Sequence, residues 1–131
     1  MNKTSRGFTV IELLFIAVIL IAASILFFVQ KSNLEVASRD ETRKTSINAM
    51  YYSLEEVFYK ENKFYPRTLD ETTLRSVDPE LFKDPFDVKI GESESNYRYE
   101  GLDCDGDKCK SYTLRTTLEN EADYVKKNRT N

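Results

Sequence analysis

Three groups of residues in this chain have types and spacing that could do chemistry. The first is Glu12, the only charged residue in residues 8–29. An ionisable group in a membrane-length apolar segment costs about 2.5 to 3.5 kcal/mol on insertion scales, so it marks a functional position by default. The second is the pair Cys104 and Cys109, which bracket the polar run Asp105-Gly106-Asp107-Lys108. The third is Asp103, Asp105 and Asp107, alternate carboxylates like the opening of a calcium loop. An EF-hand loop starting at Asp103 would need Gly at its sixth position and Glu at its twelfth. Lys108 and Leu114 stand there instead, and a polar turn is the competing reading. The chain has no His. The usual proton shuttle and commonest metal ligand are therefore absent, and no Ser or Cys nucleophile is served by an imidazole base. No catalytic constellation and no cofactor site is legible, so an anchored enzyme is the least favoured class.

The elements that must position these groups follow from hydrophobic patterning. In residues 8–29 only Thr9, Glu12 and Ser24 interrupt the apolar residues, and about 20 apolar residues span a bilayer as a helix. Lys3 and Arg6 precede this run and no acid does. The positive-inside tendency then keeps the amino terminus cytoplasmic and translocates the rest. In an oxidising space Cys104 and Cys109 read as a disulfide. A metal pair would need further Cys or His ligands, which the chain lacks. A secretory signal peptide would have a shorter apolar region ending in a small-x-small site. A plain signal anchor is the other alternative, and neither gives Glu12 a purpose.

No Gly or Pro occurs in residues 8–63, so no sharp kink is expected. Residues 30–45 mix both signs, with Arg39-Asp40-Glu41 and Arg43-Lys44, and read as a solvated helix face or as inter-subunit salt bridges. Ile47, Met50, Tyr51, Leu54, Val57 and Phe58 then recur at helical spacing. They form one apolar stripe, with Ser53, Glu55 and Glu56 expected on the other side. A single helix over residues 8–62 would be about 80 Å long at 1.5 Å per residue.

Tyr65-Pro66 ends that helix, because the residue before Pro disfavours helical geometry. Thr68 and Glu71 match a capping box, which predicts a short helix over residues 69–77. A turn follows around Asp78-Pro79. Tyr97, Tyr99 and Leu102, then Tyr112, Leu114, Thr116 and Leu118, alternate about a Gly-containing turn and predict a β-hairpin. Tyr97, Tyr99 and Tyr112 are core residues or a stacking surface for a ligand. Residues 120–131 are polar and are expected to fray. Asn2-Lys3-Thr4 and Asn128-Arg129-Thr130 fit the glycosylation pattern by chance.

The net charge of −3 gives no support for a broad nucleic-acid surface. Removing the apolar run leaves about one hundred residues, enough for one small domain.

The order Gly7-Phe8-Thr9-Val10-Ile11-Glu12, preceded by a short basic leader and followed by an apolar helix, closely resembles the amino-terminal signature of type IV pilins and of the pseudopilins of type II secretion. The resemblance covers residues 3–29. Asp84-Pro85-Phe86 and Tyr65-Pro66 also resemble pseudopilin heads. The resemblance implies an α+β fold: a long N-terminal α-helical spine and a small C-terminal head with an antiparallel β-hairpin or sheet. The implied layout is a leader at residues 1–7, a helix at 8–62 (8–29 for the membrane or filament core, 30–62 amphipathic), and a head at 63–131 packed on 47–62. It implies cleavage by a prepilin peptidase between Gly7 and Phe8, N-methylation of Phe8, and pairing of Glu12 with the amino terminus of a neighbouring subunit. The function implied is a structural subunit of a homo-oligomeric helical filament. The subunit is held in the membrane before assembly and exposed at the cell surface after it. A separate motor ATPase drives the assembly machinery, since this chain has no phosphate-binding loop. Some pseudopilin heads bind calcium, which is why Asp103, Asp105 and Asp107 stay under consideration. A secretion pseudopilin, or a minor pilin that contacts DNA, a surface or a receptor, is the alternative. Many pilins carry a helix-breaking Pro or Gly within the apolar part, where Val29 stands here.

Overall fold

The computed structural model describes residues 7–129. The leader residues before Gly7 and the last residue of the second glycosylation pattern lie outside the described residues. The chain divides into two compact units, Met1–Glu35 and Val36–Asn131.

The first unit is helical. Helix α1 runs Val10–Ser53, and its first part is the apolar run. Every residue from Val10 to Val29 is exposed, and the helix is long and apolar enough to cross a membrane. Ser24 donates its hydroxyl to the Leu20 carbonyl at 2.7 Å, which satisfies that polar group within the helix.

In the second unit α1 continues into a π-helical segment, Leu54–Phe58, and a last α-turn, α2, Tyr59–Asn62. The Tyr59 N–H reaches back to the Leu54 carbonyl, five residues earlier. This bulge changes which residues face inward. Ile47, Met50 and Leu54 are fully buried, as the stripe requires, and Ser53 joins them at three residues from Met50, but beyond it Val57 is 40% exposed while Glu55 is buried. The expected pattern drifts because one extra residue per turn rotates the following side chains around the axis. The helix stops at Lys63, which takes a left-handed φ of 63° and donates its N–H to the Tyr59 carbonyl at 2.8 Å.

The rest of this unit is a four-stranded antiparallel sheet: β1 Tyr65–Pro66, β2 Tyr97–Asp105, β3 Lys108–Thr116 and β4 Tyr124–Lys127. Strand β3 is central, flanked by β2 on one side and by β1 and β4 on the other. The hairpin register pairs Tyr97 with Thr116 and Cys104 with Cys109. Tyr97, Tyr112 and Leu114 form one core cluster with Ile47, Met50 and Leu54 of the helix, and Leu69, Leu74, Val77 and Phe82 of the connecting segment complete it. Each such fully buried apolar side chain contributes about 1.5 to 3 kcal/mol.

Three expectations are corrected here. Residues 69–77 form turns, not a helix. Asp70 takes over the capping role, accepting from the N–H groups of Thr72 at 3.0 Å and Thr73 at 2.8 Å, and this local satisfaction competes with helix propagation. A 3₁₀ turn, Pro79–Phe82, follows, capped by the Asp78 side chain. Residues 120–129 do not simply fray: β4 pairs Tyr124 with Thr116, and Tyr124 donates to Asn48 Oδ1 at 3.0 Å. Of the two readings open for the hairpin tyrosines, the core one holds for Tyr97 and Tyr112, which are buried. The charged stretch is not merely a solvated face. Asp40 and Arg43 are buried, so packing on the helix begins earlier than residue 47.

That early packing is electrostatic. Arg43 donates to Asp40 Oδ1 at 2.7 Å and to Glu119 Oε1 at 2.8 Å. Arg39 donates to Glu119 through two nitrogens at 2.8 and 2.7 Å. The N–H groups of Glu119 and Asn120 close on the Asp40 carboxylate. The hydrogen bonds from Arg39, then Arg43, hold the Glu119 carboxyl down to about 2. Burial works against the Asp40 charge, but the two backbone N–H groups and Arg43 outweigh it and leave its pKa below the ordinary value.

Candidate functional site

Thr9 is the residue before the first helical position of α1, and Glu12 is in its first turn. The Thr9 N–H donates to Glu12 Oε2 at 2.8 Å and the Thr9 hydroxyl donates to the same oxygen at 2.9 Å. The Glu12 N–H reaches Thr9 Oγ1 at 3.4 Å. This is a reciprocal capping box, which a Thr-x-x-Glu spacing permits at any helix start. Reading Glu12 only as a lone charge overlooked this signal. Within a single chain the carboxylate already has donors, so any outside cation would share or displace Thr9. Phe8, Ile11, Phe15 and Ile16 surround Glu12 and line a shallow apolar hollow of about 330 Å³. Gly7 and Phe8 precede the helix, are exposed, and nothing crowds the Gly7 backbone. The arrangement therefore combines an exposed apolar helix stretch, one carboxylate near its start, and an accessible Gly-Phe bond just before it.

Cys104 and Cys109 are joined as a disulfide. They sit directly opposite each other on β2 and β3, at the tip of the hairpin. Asp103, Asp105 and Asp107 are exposed at this tip. Among the described residues no group of three or more His, Cys, Asp or Glu side chains is arranged to hold a metal ion. Asp103 and Asp105 instead share a surface hollow with Lys63, Lys108 and Lys110, whose charges disfavour a cation there.

A polar centre that the sequence reading placed on the wrong face lies in the head. Glu55, 6% exposed, accepts from the Tyr112 hydroxyl at 2.8 Å and from the Tyr65 hydroxyl at 3.2 Å. Burial, followed by the neighbouring Glu55 charge, raises the pKa of both tyrosines, so both remain donors at neutral pH. The π-helical bulge turns Glu55 inward. No simple periodicity signals such a bulge.

Asp84 explains the Asp-Pro-Phe motif in physical terms. Its buried carboxylate accepts from the N–H groups of Phe86 at 2.9 Å, Val88 at 3.1 Å and Asn96 at 2.9 Å, and from the Asn96 side chain at 3.2 Å. One carboxylate therefore ties the whole loop before β2.

No family model, curated protein or solved structure matches this chain. The fold itself is plain: one long N-terminal helix followed by a small antiparallel sheet, an α+β layout.

Proposed function

We propose that this chain is a structural subunit of a type IV pilin-like filament. It is cleaved between Gly7 and Phe8 by a prepilin peptidase and polymerises through its N-terminal helix. The observation that carries this reading is the wholly exposed apolar part of α1, whose single charge is Glu12. An apolar helix surface of that length needs either lipid or other apolar helices around it. A membrane supplies the first and a bundle of identical stems the second. In the bundle, water is excluded and a carboxylate is costly unless an opposite charge is near. The Phe8 amine freed by cleavage, and methylated there, is such a charge when it comes from a neighbouring copy. Exchanging the Thr9 donors for that amine would favour one axial register.

In this reading the subunit is a single-pass membrane protein with a cytoplasmic amino terminus before assembly. It becomes part of a surface filament after extraction by a separate motor ATPase. The Cys104–Cys109 disulfide supports an oxidising space for the head. A secretion pseudopilin is the second reading, supported by Tyr65-Pro66 and by the Asp84-Pro85-Phe86 loop.

The test is Glu12→Leu and Gly7→Leu in cells that assemble the wild-type chain. Glu12→Leu should be processed normally but enter filaments poorly; normal filaments would remove the register role. Gly7→Leu should leave the full-length chain in the membrane, and unchanged cleavage would refute the assigned bond.

A further inference from the structure

We infer that the hollow beside the π-helical segment of the second unit is a binding site for a neutral polyhydroxylated ligand, a single sugar ring. The site does not depend on the filament reading above. The hollow has a volume of about 600 Å³, within the size range of small-molecule pockets. Its lining combines an apolar part with polar side chains whose hydrogen-bonding capacity is only partly used. Val57, Phe58 and Leu74 supply the apolar part. The Phe58 ring is set edge-to-face on Phe64, with ring centres 5.7 Å apart, and Leu74 is buried. A sugar ring presents a C–H face that suits such a surface.

The polar part of the lining is defined by what each group has left to offer. Glu61 and Arg75 both line the hollow, and neither has a hydrogen-bond or ion-pair partner among the described residues. Glu61 offers acceptors only and Arg75 donors only. The Asn62 side-chain nitrogen donates to the Phe58 carbonyl at 2.9 Å, which orients the amide and leaves its oxygen as an acceptor. The Thr72 and Thr73 hydroxyls donate to Asp70 Oδ1 at 2.7 and 2.8 Å, so what remains to them is acceptor capacity. Ser53 and Ser76 share one hydrogen bond at 2.6 Å, which leaves one hydroxyl proton unused.

These groups select the ligand. Opposite charges on Glu61 and Arg75 share one hollow, so an anion is attracted by one and repelled by the other, and a cation the reverse. A hydroxyl both donates and accepts. Vicinal hydroxyls can therefore give their protons to the Glu61, Asn62 and threonine oxygens and their lone pairs to Arg75, with no ligand charge to desolvate. The walls are also held in advance. Asp70 fixes the backbone N–H groups of Thr72 and Thr73, and the Ser53–Ser76 bond ties that turn to the helix. A preformed site keeps the ordering cost of binding small. Val57 and Phe58 belong to the π-helical segment, and such bulges recur at functional sites.

The test is a titration of the full isotope-labelled chain in lipid nanodiscs, free of sugar-based detergent and followed by amide NMR. The probes are glucose, galactose and N-acetylglucosamine, with glycine and inorganic phosphate beside them. Expected is saturable binding of at least one sugar with a Kd of about 1 to 10 mM, with shifts confined to residues 57–62 and 72–76. Glu61→Ala and Arg75→Ala, both at exposed positions, should each raise that Kd about tenfold while the rest of the spectrum stays unchanged. No saturable shift with any of the sugars overturns the proposal, as does sugar binding that both variants leave intact. Binding of glycine or phosphate without any sugar also overturns it, and assigns the hollow to a zwitterion or an anion instead.

Discussion

Tyr112 donates its hydroxyl to Glu55 at 2.8 Å across the interface between the central strand and the helix, and Tyr65 donates to the same carboxylate. One buried charge therefore links helix, β1 and β3. Hydrogen bonds to charged groups contribute about 1.5 to 3 kcal/mol. Tyr112→Phe is expected to cost about that much in denaturant unfolding of the detergent-solubilised chain. Glu55→Ala should cost more, because two buried hydroxyls lose their acceptor. A double-mutant cycle should show strong coupling; additive losses would mean that the pair does not act as a unit.

Gly101 is set by the disulfide. A methyl group on its backbone would lie 2.6 Å from Cys109 Sγ and 3.2 Å from Cys104 Sγ. Gly101→Ala is therefore expected to hinder closure of the bond, leaving free thiols that alkylation and mass spectrometry would count. Full oxidation of the variant would show that the hairpin yields instead.

Replacing both cysteines by serine should destabilise the head by about 2 kcal/mol, the chain-entropy value for so short a loop. The hairpin itself should persist, since its register is also set by the Tyr97-to-Thr116 end. Unfolding of the variant, compared with the wild type under oxidising conditions, gives the difference. A loss of the native fold would assign the disulfide a larger role.

The Asp40–Arg43–Glu119 cluster predicts acid sensitivity. The Glu119 carboxyl titrates at about 2 when folded against an ordinary 4.5, and that of Asp40 also lies below its ordinary value. Depressed folded values mean that the stabilisation is fully present above about pH 4.5 and is lost as pH falls from there towards 2. Glu119→Gln should flatten the stability curve across that window and leave its slope at higher pH unchanged. An unaltered acid limb would assign the sensitivity to other carboxylates.

Asp84→Ala removes an acceptor from three backbone N–H groups and one side-chain amide. An unsatisfied buried group costs about 1 to 3 kcal/mol, so this single change should rank among the most destabilising in the head. Amide exchange should rise selectively at Phe86, Val88 and Asn96. Unchanged protection there would mean that another group holds the loop.

Much of this architecture was legible before any coordinates. The run of apolar residues around Glu12 needs no tertiary partner to be recognised, because length and composition alone define a membrane-length helix. The stripe Ile47, Met50 and Leu54 and the alternation in the hairpin express helix and strand periods directly, and both lie in the core. The short separation of Cys104 and Cys109 made their pairing a local matter.

The remainder depended on contacts between residues far apart in sequence. Glu55 looked like a surface carboxylate until a π-helical turn rotated it towards Tyr65 and Tyr112. Asp40 and Arg43 belonged to a mixed-charge run whose acceptors and donors arrive from residues 119 and 120. β4 forms because β3 offers an unpaired edge, a condition invisible in the polar tail itself. The sequence by itself determined the elements whose periodicity and composition are local properties. Tertiary structure decided which charges became buried, because burial of a polar group is worthwhile only when distant donors and acceptors meet it.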